Sequence, residues 1–529
     1  MVLINKIKSG ILSGIGGYLI DIELDISKGM PYFNIVGLAG TEVKESKERV
    51  RSAVNNSGYQ FPMKRIIVNL SPADLKKDGS YLDLGICIGI LRNRVKRDNQ
   101  YFEKTAFLGE LSLDGSVKKM SGIISIAISL SKSGIKNIFI PDKNYMECSE
   151  LKDIKIIPVK SVKDCIDILN MPDKKYDRFI EERIEKIKNK YPINPEKTCV
   201  CEDIEADDFK YIRGNKVTKR CAEIAVAGCH NILMIGPPGT GKTMIAKAMS
   251  TLMTKPDKKE ALEITQIYST AGILKENQGI IEERPFRSPH HTSTMMSIIG
   301  GGANANLGEI TLAHRGILFF DELPEFPKKV IESLRQPLED GEINISRINK
   351  NITYPCSFLF VATMNPCPCG FLNSKKSCRC KPSEIDRYRG KVSGPILDRI
   401  DLFCEVGEID YSEFSCENET IETSESIKKR IEKARKAQDS RFSKKGIYYN
   451  SQMNNKEALK ECNITEEAEN LSKKIFDKYS LSNRSYLRIL KVARTIADLE
   501  GRNQVNEKDI MEAFQYRKAY YKYFRDGEY

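Results

Sequence analysis

No stretch of this chain approaches the roughly 18 consecutive apolar residues that a membrane-spanning helix needs, so a helical membrane protein is not expected. An uninterrupted apolar signal segment is also missing. Lys6 and Lys8 break the first apolar patch and Asp21 follows soon after, so the expected location is cytoplasmic. Without export, fifteen cysteines, an odd number, do not read as a disulfide framework. Metal ligation or plain buried thiols are the alternatives. No internal repeat and no low-complexity tract is present. What remains is a 529-residue chain, long enough for about three domains, with an ordinary hydrophobic content of 40%. Its formal net charge of +12 is compatible with a lysine-rich solvated surface or with a polyanionic partner such as DNA.

Residues 1–170 mix alternating strands with short helices. Ile20–Ile26 alternates with period two, as a half-buried strand does; Ile66–Leu70 and Ile138–Pro141 read as further strands, Val43–Asn56 and Leu82–Leu91 as helices. A charged stretch rich in helix formers from Asp173 to about Lys190, then the helix-breaking Tyr191-Pro192-Ile193-Asn194-Pro195, places a linker at 171–205. Nucleotide chemistry lies in 206–409. The remainder, 410–529, reads as helical, with Ser424–Ser440 and Glu466–Tyr479 its clearest segments.

The apolar strand Ile232–Ile235 runs into Gly236-Pro237-Pro238-Gly239-Thr240-Gly241-Lys242-Thr243 and then a helix, the full phosphate-loop pattern in its strand–loop–helix setting. Glycines let backbone amides wrap phosphates, and the helix N-terminus favours anions. Lys242 is expected on the β- and γ-phosphates of ATP, Thr243 on Mg²⁺. Gly316–Phe320 ends in Asp321-Glu322, where Asp321 would serve Mg²⁺ and Glu322 would polarise the attacking water. Phe358–Thr363 ends in Met364-Asn365; a polar residue at a parallel strand's carboxyl end lies where such sheets bind ligands, and Asn365 fits a sensor of the γ-phosphate. Arg399, in Gly394-Pro395-Ile396-Leu397-Asp398-Arg399-Ile400-Asp401, is the candidate arginine finger for a neighbouring subunit; the alternative is a surface pair with Asp398 or Asp401. Arg484 fits a second sensor reaching from the helical lid to the nucleotide, with Arg488 as the other candidate.

The sequence resembles the YifB/ComM family of magnesium-chelatase-like AAA+ ATPases. The resemblance rests on Arg284-Pro285-Phe286-Arg287-Ser288-Pro289-His290-His291, Gly300-Gly301-Gly302, Gly308–Gly316, Asp321–Phe326, Arg335–Gly341 and Ala493–Leu499, and it spans nearly the whole chain. It implies an α/β multidomain protein: an S5-like, Lon-protease-like α+β domain, an AAA+ P-loop αβα core at 206–409, and a C-terminal helical lid. It also implies a helix-2 insert, which suits the nearly eighty residues between Lys242 and Asp321, and a hairpin before Asn365. Glu342–Ser346 and Asn351–Tyr354 fit that hairpin, joined by Arg347-Ile348-Asn349-Lys350. Arg347 and Lys350 would follow a DNA backbone or simply form a solvated basic turn. His290 and His291 have no acidic or cysteine partner at metal-ligand spacing, so a structural or interface role is expected.

Cys367, Cys369, Cys378 and Cys380 form two C-x-C pairs, either a structural Zn²⁺ site or a loop of free thiols. In residues 1–170, Lys77-Asp78-Gly79, Leu108–Leu111, Gly115-Ser116-Val117 and Ile138–Asn144 are similar to the Lon-protease domain. The Ser–Lys dyad that this resemblance leads one to seek is absent. Tyr81 stands at the serine position, with Ser80 one step off, and Ile124 stands at the lysine position. A non-proteolytic domain is expected. The resulting expectation is a hexameric, ATP- and Mg²⁺-dependent DNA translocase or branch-migration helicase, ComM-like in recombination during natural transformation. The alternatives are a protein-remodelling chaperone, for which Tyr268–Gly272 is a weak candidate gripping loop, and a metal-chelatase motor subunit.

Overall fold

A computed structural model of the chain describes residues 5–190, 208–276, 278–302, 306–347, 350–408, 422–442 and 446–525, with the side chains of 346–351 outside that description. Two compact units are present: residues 1–200 with 257–283, and residues 201–256 with 284–529.

The first unit is built on a seven-stranded mixed sheet. Its strands are β1 (Asn5–Ser13), β2 (Gly16–Ser27), β3 (Tyr32–Val36), β4 (Arg65–Ser71), β5 (Thr105–Phe107), β6 (Asn137–Pro141) and β7 (Lys155–Val159), in the order β3-β4-β2-β1-β5-β6-β7. The period-two pattern of β2 acts as expected: Ile20, Ile22 and Leu24 are fully buried while Asp21, Glu23 and Asp25 are not. The helix Asp83–Ile90 has all eight residues buried, which explains why its sequence shows no polar face.

Two segments fall elsewhere than the sequence boundaries suggested. Asp173–Lys190, read as linker, is one continuous helix whose Tyr176, Ile180 and Ile187 are buried in the first unit; its charge is its solvent face. Residues 257–283, read as part of the ATPase core, belong to the first unit. There the helix Lys258–Thr270 buries Ala261, Ile264, Ile267 and Tyr268. The amide of Gly122 donates to the Ser269 carbonyl at 3.0 Å, and Lys119 donates to the Leu274 carbonyl at 2.7 Å. Ser269 and Asn144 both donate to the buried carboxylate of Glu147.

The second unit holds a five-stranded parallel sheet of β8 (Ile232–Ile235), β9 (Phe286–Arg287), β10 (Ile317–Phe320), β13 (Leu359–Met364) and β14 (Leu402–Glu405), ordered β9-β10-β13-β8-β14. β8, β10 and β13 are buried along their whole length, as expected for strands covered on both faces. The antiparallel hairpin β11 (Glu342–Arg347) and β12 (Lys350–Pro355) precedes β13. Its pairing runs through Arg347↔Lys350, so these two residues end the ladder instead of forming the turn; Ile348 and Asn349 lie outside the described residues. The helices Ser424–Phe442, Glu466–Lys478, Asn483–Leu499 and Glu507–Phe524 complete the unit. Asn483–Leu499 buries Ile489, Leu490, Val492, Ile496 and Leu499, each contributing about 1.5–3 kcal/mol by the hydrophobic effect. Among the described residues no helix is long and apolar enough to cross a membrane.

Candidate nucleotide site

The phosphate loop leaves the carboxyl end of β8 and enters the helix Lys242–Leu252 at its first turn. Gly239 and Gly241 have φ of 81° and 84°, a left-handed conformation in which an L side chain is strained. A Cβ at either position would meet nothing within 4 Å, so this side of the loop is open to a ligand. Lys242 is mostly buried. Its ammonium donates to the carbonyls of Gly236 and Pro237, each at 2.7 Å, and to Asn365 Oδ1 at 3.3 Å. Burial pushes its pKa down to about 8, against the opposing pull of Asp321 and Glu322.

The neighbouring strands bring the acidic groups to the same edge. Thr243 donates to Asp321 Oδ2 at 3.0 Å. Asp321 Oδ1 accepts from Thr363 Oγ1 at 2.5 Å, and Thr363 Oγ1 in turn accepts the Glu322 amide at 2.9 Å. Thr363 therefore ties together the two acidic residues that follow β10, a role that sequence reading missed because it looked like one more strand residue. Glu322 sits at φ 55°, a conformation costing about 1–3 kcal/mol for such a residue, with its side chain exposed. Two hydrogen-bonded groups thus meet at this edge: Lys242 with Asn365, and Thr243, Asp321, Thr363 and the Glu322 amide.

The two candidate arginines lie elsewhere. Arg399 pairs with Glu339, not with Asp398 or Asp401, and also donates to the Pro395 carbonyl at 2.6 Å. Arg484, expected to reach from the helical lid to the nucleotide, lies 3.5 Å from the same Glu339. The cavity they share, about 890 Å³, is lined by Glu339, Arg399, Arg484, Arg488 and Lys491 among others, and by none of Lys242, Thr243, Asp321, Glu322 or Asn365. Arg488 bonds Asp401, which also holds the fully buried His230 ring at 3.1 Å. The other side of that ring meets Thr495 at 2.8 Å. The Arg488 and His230 contacts hold the Asp401 carboxyl well below the usual range despite its burial. Glu339 was not singled out from sequence, because its partners are far along the chain.

Immediately after Asn365, the Sγ atoms of Cys367, Cys369, Cys378 and Cys380 all lie within 4.8 Å of one another, a set able to hold a metal. The His290 and His291 rings lie 4.1 Å apart between centroids, tilted by 37°, and belong to no metal-ligand cluster among the described residues. In the first unit the displaced Ser80 donates to Glu110, Ile124 is fully buried, and Tyr81 donates to the Ser121 carbonyl at 3.1 Å. Burial pushes the Tyr81 hydroxyl up to about 12.

A parallel sheet of this order, carrying a lysine–threonine phosphate loop, an Asp–Glu pair and an asparagine at its carboxyl edge, defines the AAA+ class of P-loop proteins. Comparison with known families agrees. Residues 208–414 match the family model described as magnesium chelatase, subunit ChlI; residues 22–144 match subunit ChlI of Mg-chelatase, and residues 421–517 its C-terminal part. The chain is 38% identical over 509 residues to competence protein ComM of Haemophilus influenzae, covering 95% of each. It is 36% identical over 505 residues to YifB of Escherichia coli K12, again covering 95% of each. A weaker similarity, 26% over 178 residues, relates 30% of the chain to 21% of Lon protease 1 of Myxococcus xanthus. The chain belongs to the ComM/YifB family of magnesium-chelatase-like AAA+ proteins.

Proposed function

We propose that the protein is an ATP-hydrolysing ring motor acting on DNA, a translocase or branch-migration helicase. The observation that carries the hydrolytic part is the hydrogen-bonded set Lys242–Asn365 and Thr243–Asp321–Thr363–Glu322 beside an open glycine loop. These residues fit ATP and Mg²⁺: backbone amides and Lys242 for phosphate oxygens, Thr243 and Asp321 for the cation. Bound ATP·Mg²⁺ supplies a reactive phosphoanhydride with its charge partly neutralised. Glu322 takes the proton of the attacking water and Asn365 orients it. Arg399 and Arg484, paired on Glu339 away from their own phosphate loop, serve the site of an adjacent subunit, which supports a closed ring, here a hexamer.

DNA as the substrate is supported by the net charge of +12, by the basic ends of the β11–β12 ladder at Arg347 and Lys350, and by a relative named a competence protein. A polypeptide-remodelling role draws on the Lon-like first unit. Its candidate gripping aromatic, Tyr268, is only 1% exposed, which speaks against it. A chelatase role has the family models in its favour.

The deciding experiment is the ATPase rate without DNA and with single strands, duplex and a four-way junction. DNA should stimulate the rate, and Lys242→Ala and Glu322→Gln should abolish it. Joint Arg347→Ala and Lys350→Ala substitution should weaken the stimulation and reduce the salt dependence of DNA binding by a slope of about 2. A rate indifferent to every DNA but raised by unfolded polypeptide would replace this reading with the remodelling one.

A further inference from the structure

The four cysteines after Asn365 gather their sulfurs into one compact set. Cys367 Sγ lies 3.4 Å from Cys369 Sγ and 3.6 Å from Cys378 Sγ, and Cys369 Sγ lies 3.6 Å from Cys378 Sγ. Three sulfurs thus form one triangular face, and Cys380 closes the set within 4.8 Å. A zinc–sulfur bond of about 2.3 Å puts tetrahedral sulfurs about 3.8 Å apart. An iron–sulfur cluster, with several metal and sulfide atoms between the cysteines, needs wider spacing. A disulfide would pair two sulfurs at about 2.05 Å; here all four thiols are free. The surrounding backbone suits thiolates. The Cys369 amide points at Cys380 Sγ at 3.3 Å and the Leu372 amide at Cys367 Sγ at 3.4 Å, donors that orient and stabilise metal-bound sulfur. Lys375, Lys376, Arg379 and Lys381 lie in or beside the loop and offset the net double negative charge of four thiolates around a divalent ion.

The position of this loop gives the site a task. Cys367 follows Asn365 by two residues, and the intervening Pro366 carbonyl accepts two hydrogen bonds from Arg389, both 3.2 Å. Gly370, at φ 83°, lies so close to the phosphate loop that a Cβ there would stand 2.7 Å from Pro238 Cδ and 3.9 Å from Asn365 Cγ. We propose that Cys367, Cys369, Cys378 and Cys380 bind one zinc ion, and that this zinc loop sets the position of the phosphate loop through the Gly370–Pro238 contact. The metal half stands on the cysteine geometry alone; the positioning half rests on the nucleotide-binding reading above.

The test measures zinc content and nucleotide binding separately on the full chain. Protein purified without added metal should carry about one zinc per chain by elemental analysis, and Cys378→Ser should lose it. Gly370→Ala keeps all four ligands but crowds Pro238; it should retain zinc while its affinity for a fluorescent ATP analogue falls on the order of tenfold. Wild-type protein stripped with a thiol-directed mercurial and chelator should show the same loss, reversed by thiol and zinc, which keeps the test valid if Cys378→Ser does not fold. Wild-type protein free of zinc overturns the metal half. Zinc-loaded protein whose nucleotide affinity survives both stripping and Gly370→Ala overturns the positioning half. Zinc-loaded wild type that binds no ATP at all overturns the nucleotide-binding reading, and the positioning half with it, leaving the metal site intact.

Discussion

At the scale of single residues, Thr363 shows how much of the site depends on a group that touches no reacting atom in its own right. Its hydroxyl is donor to Asp321 and acceptor for the Glu322 amide. Thr363→Val keeps the shape and removes both bonds, leaving a peptide N–H unsatisfied at a cost of about 1–3 kcal/mol. The turnover number should fall by about tenfold, equivalent to about 1.4 kcal/mol, while ATP affinity changes far less; an unchanged turnover number in steady-state assays would refute the orienting role. Which residues gather at the site was legible in sequence where the partners are neighbours. Lys242 and Thr243 sit in one contiguous motif, as do Asp321 and Glu322. Glu339 was not, because Arg399 lies 60 residues further on and only folding brings Arg484 beside it. Thr363 was hidden because a threonine suits a strand whether or not its hydroxyl is used.

At the scale of elements, the helix Lys258–Thr270 is held to the first unit partly by a buried carboxyl. Burial raises the Glu147 pKa, opposed by hydrogen bonds from Ser269 and Asn144. A carboxyl with a folded-state pKa above its unfolded value contributes most favourably below the unfolded value, and that contribution is lost as pH rises through the folded value. Glu147→Gln, neutral at every pH, should therefore hold its melting temperature better than the wild type as pH rises above the free glutamate value of about 4.3. Thermal melts across that range check this; a variant that loses more stability than the wild type as pH rises contradicts it. The sequence concealed this docking because the helix follows the phosphate-loop helix so closely. It showed Asp173–Lys190 as rich in helix formers but concealed that this helix packs into the first unit, although Tyr176, Ile180, Ile184 and Ile187 recur at intervals of four, four and three, a helical stripe beneath a charged surface. The three central parallel strands, by contrast, were plain, since strands buried on both faces are short apolar runs; the outer strands Phe286–Arg287 and Leu402–Glu405 were not read as strands.

At the scale of the whole molecule, the proposed ring, with Arg399 and Arg484 serving an adjacent subunit, would make each nucleotide site depend on two chains. Lys242→Ala chains keep their arginines, and Arg399→Ala chains keep their phosphate loops. Each should be inactive alone. Mixed in equal amounts and reassembled, random order places a competent loop beside an intact arginine at roughly one interface in four, so about a quarter of wild-type ATPase should return. No recovery in an assembly shown to contain both chains would mean that Arg399 acts within its own chain.

The path of the chain has one further consequence. It leaves the second unit after Pro256, contributes residues 257–283 to the first, and re-enters at Arg284. The first unit is therefore not a bead on a string that can be clipped off at the front. A chain shortened to begin near residue 208 would still carry Ile264, Ile267 and Tyr268 with nothing to cover them, an adhesive apolar strip on an otherwise finished ATPase. Separating the two units, in the laboratory or by gene shuffling, takes three cuts and a short splice, and a single cut should yield protein that aggregates.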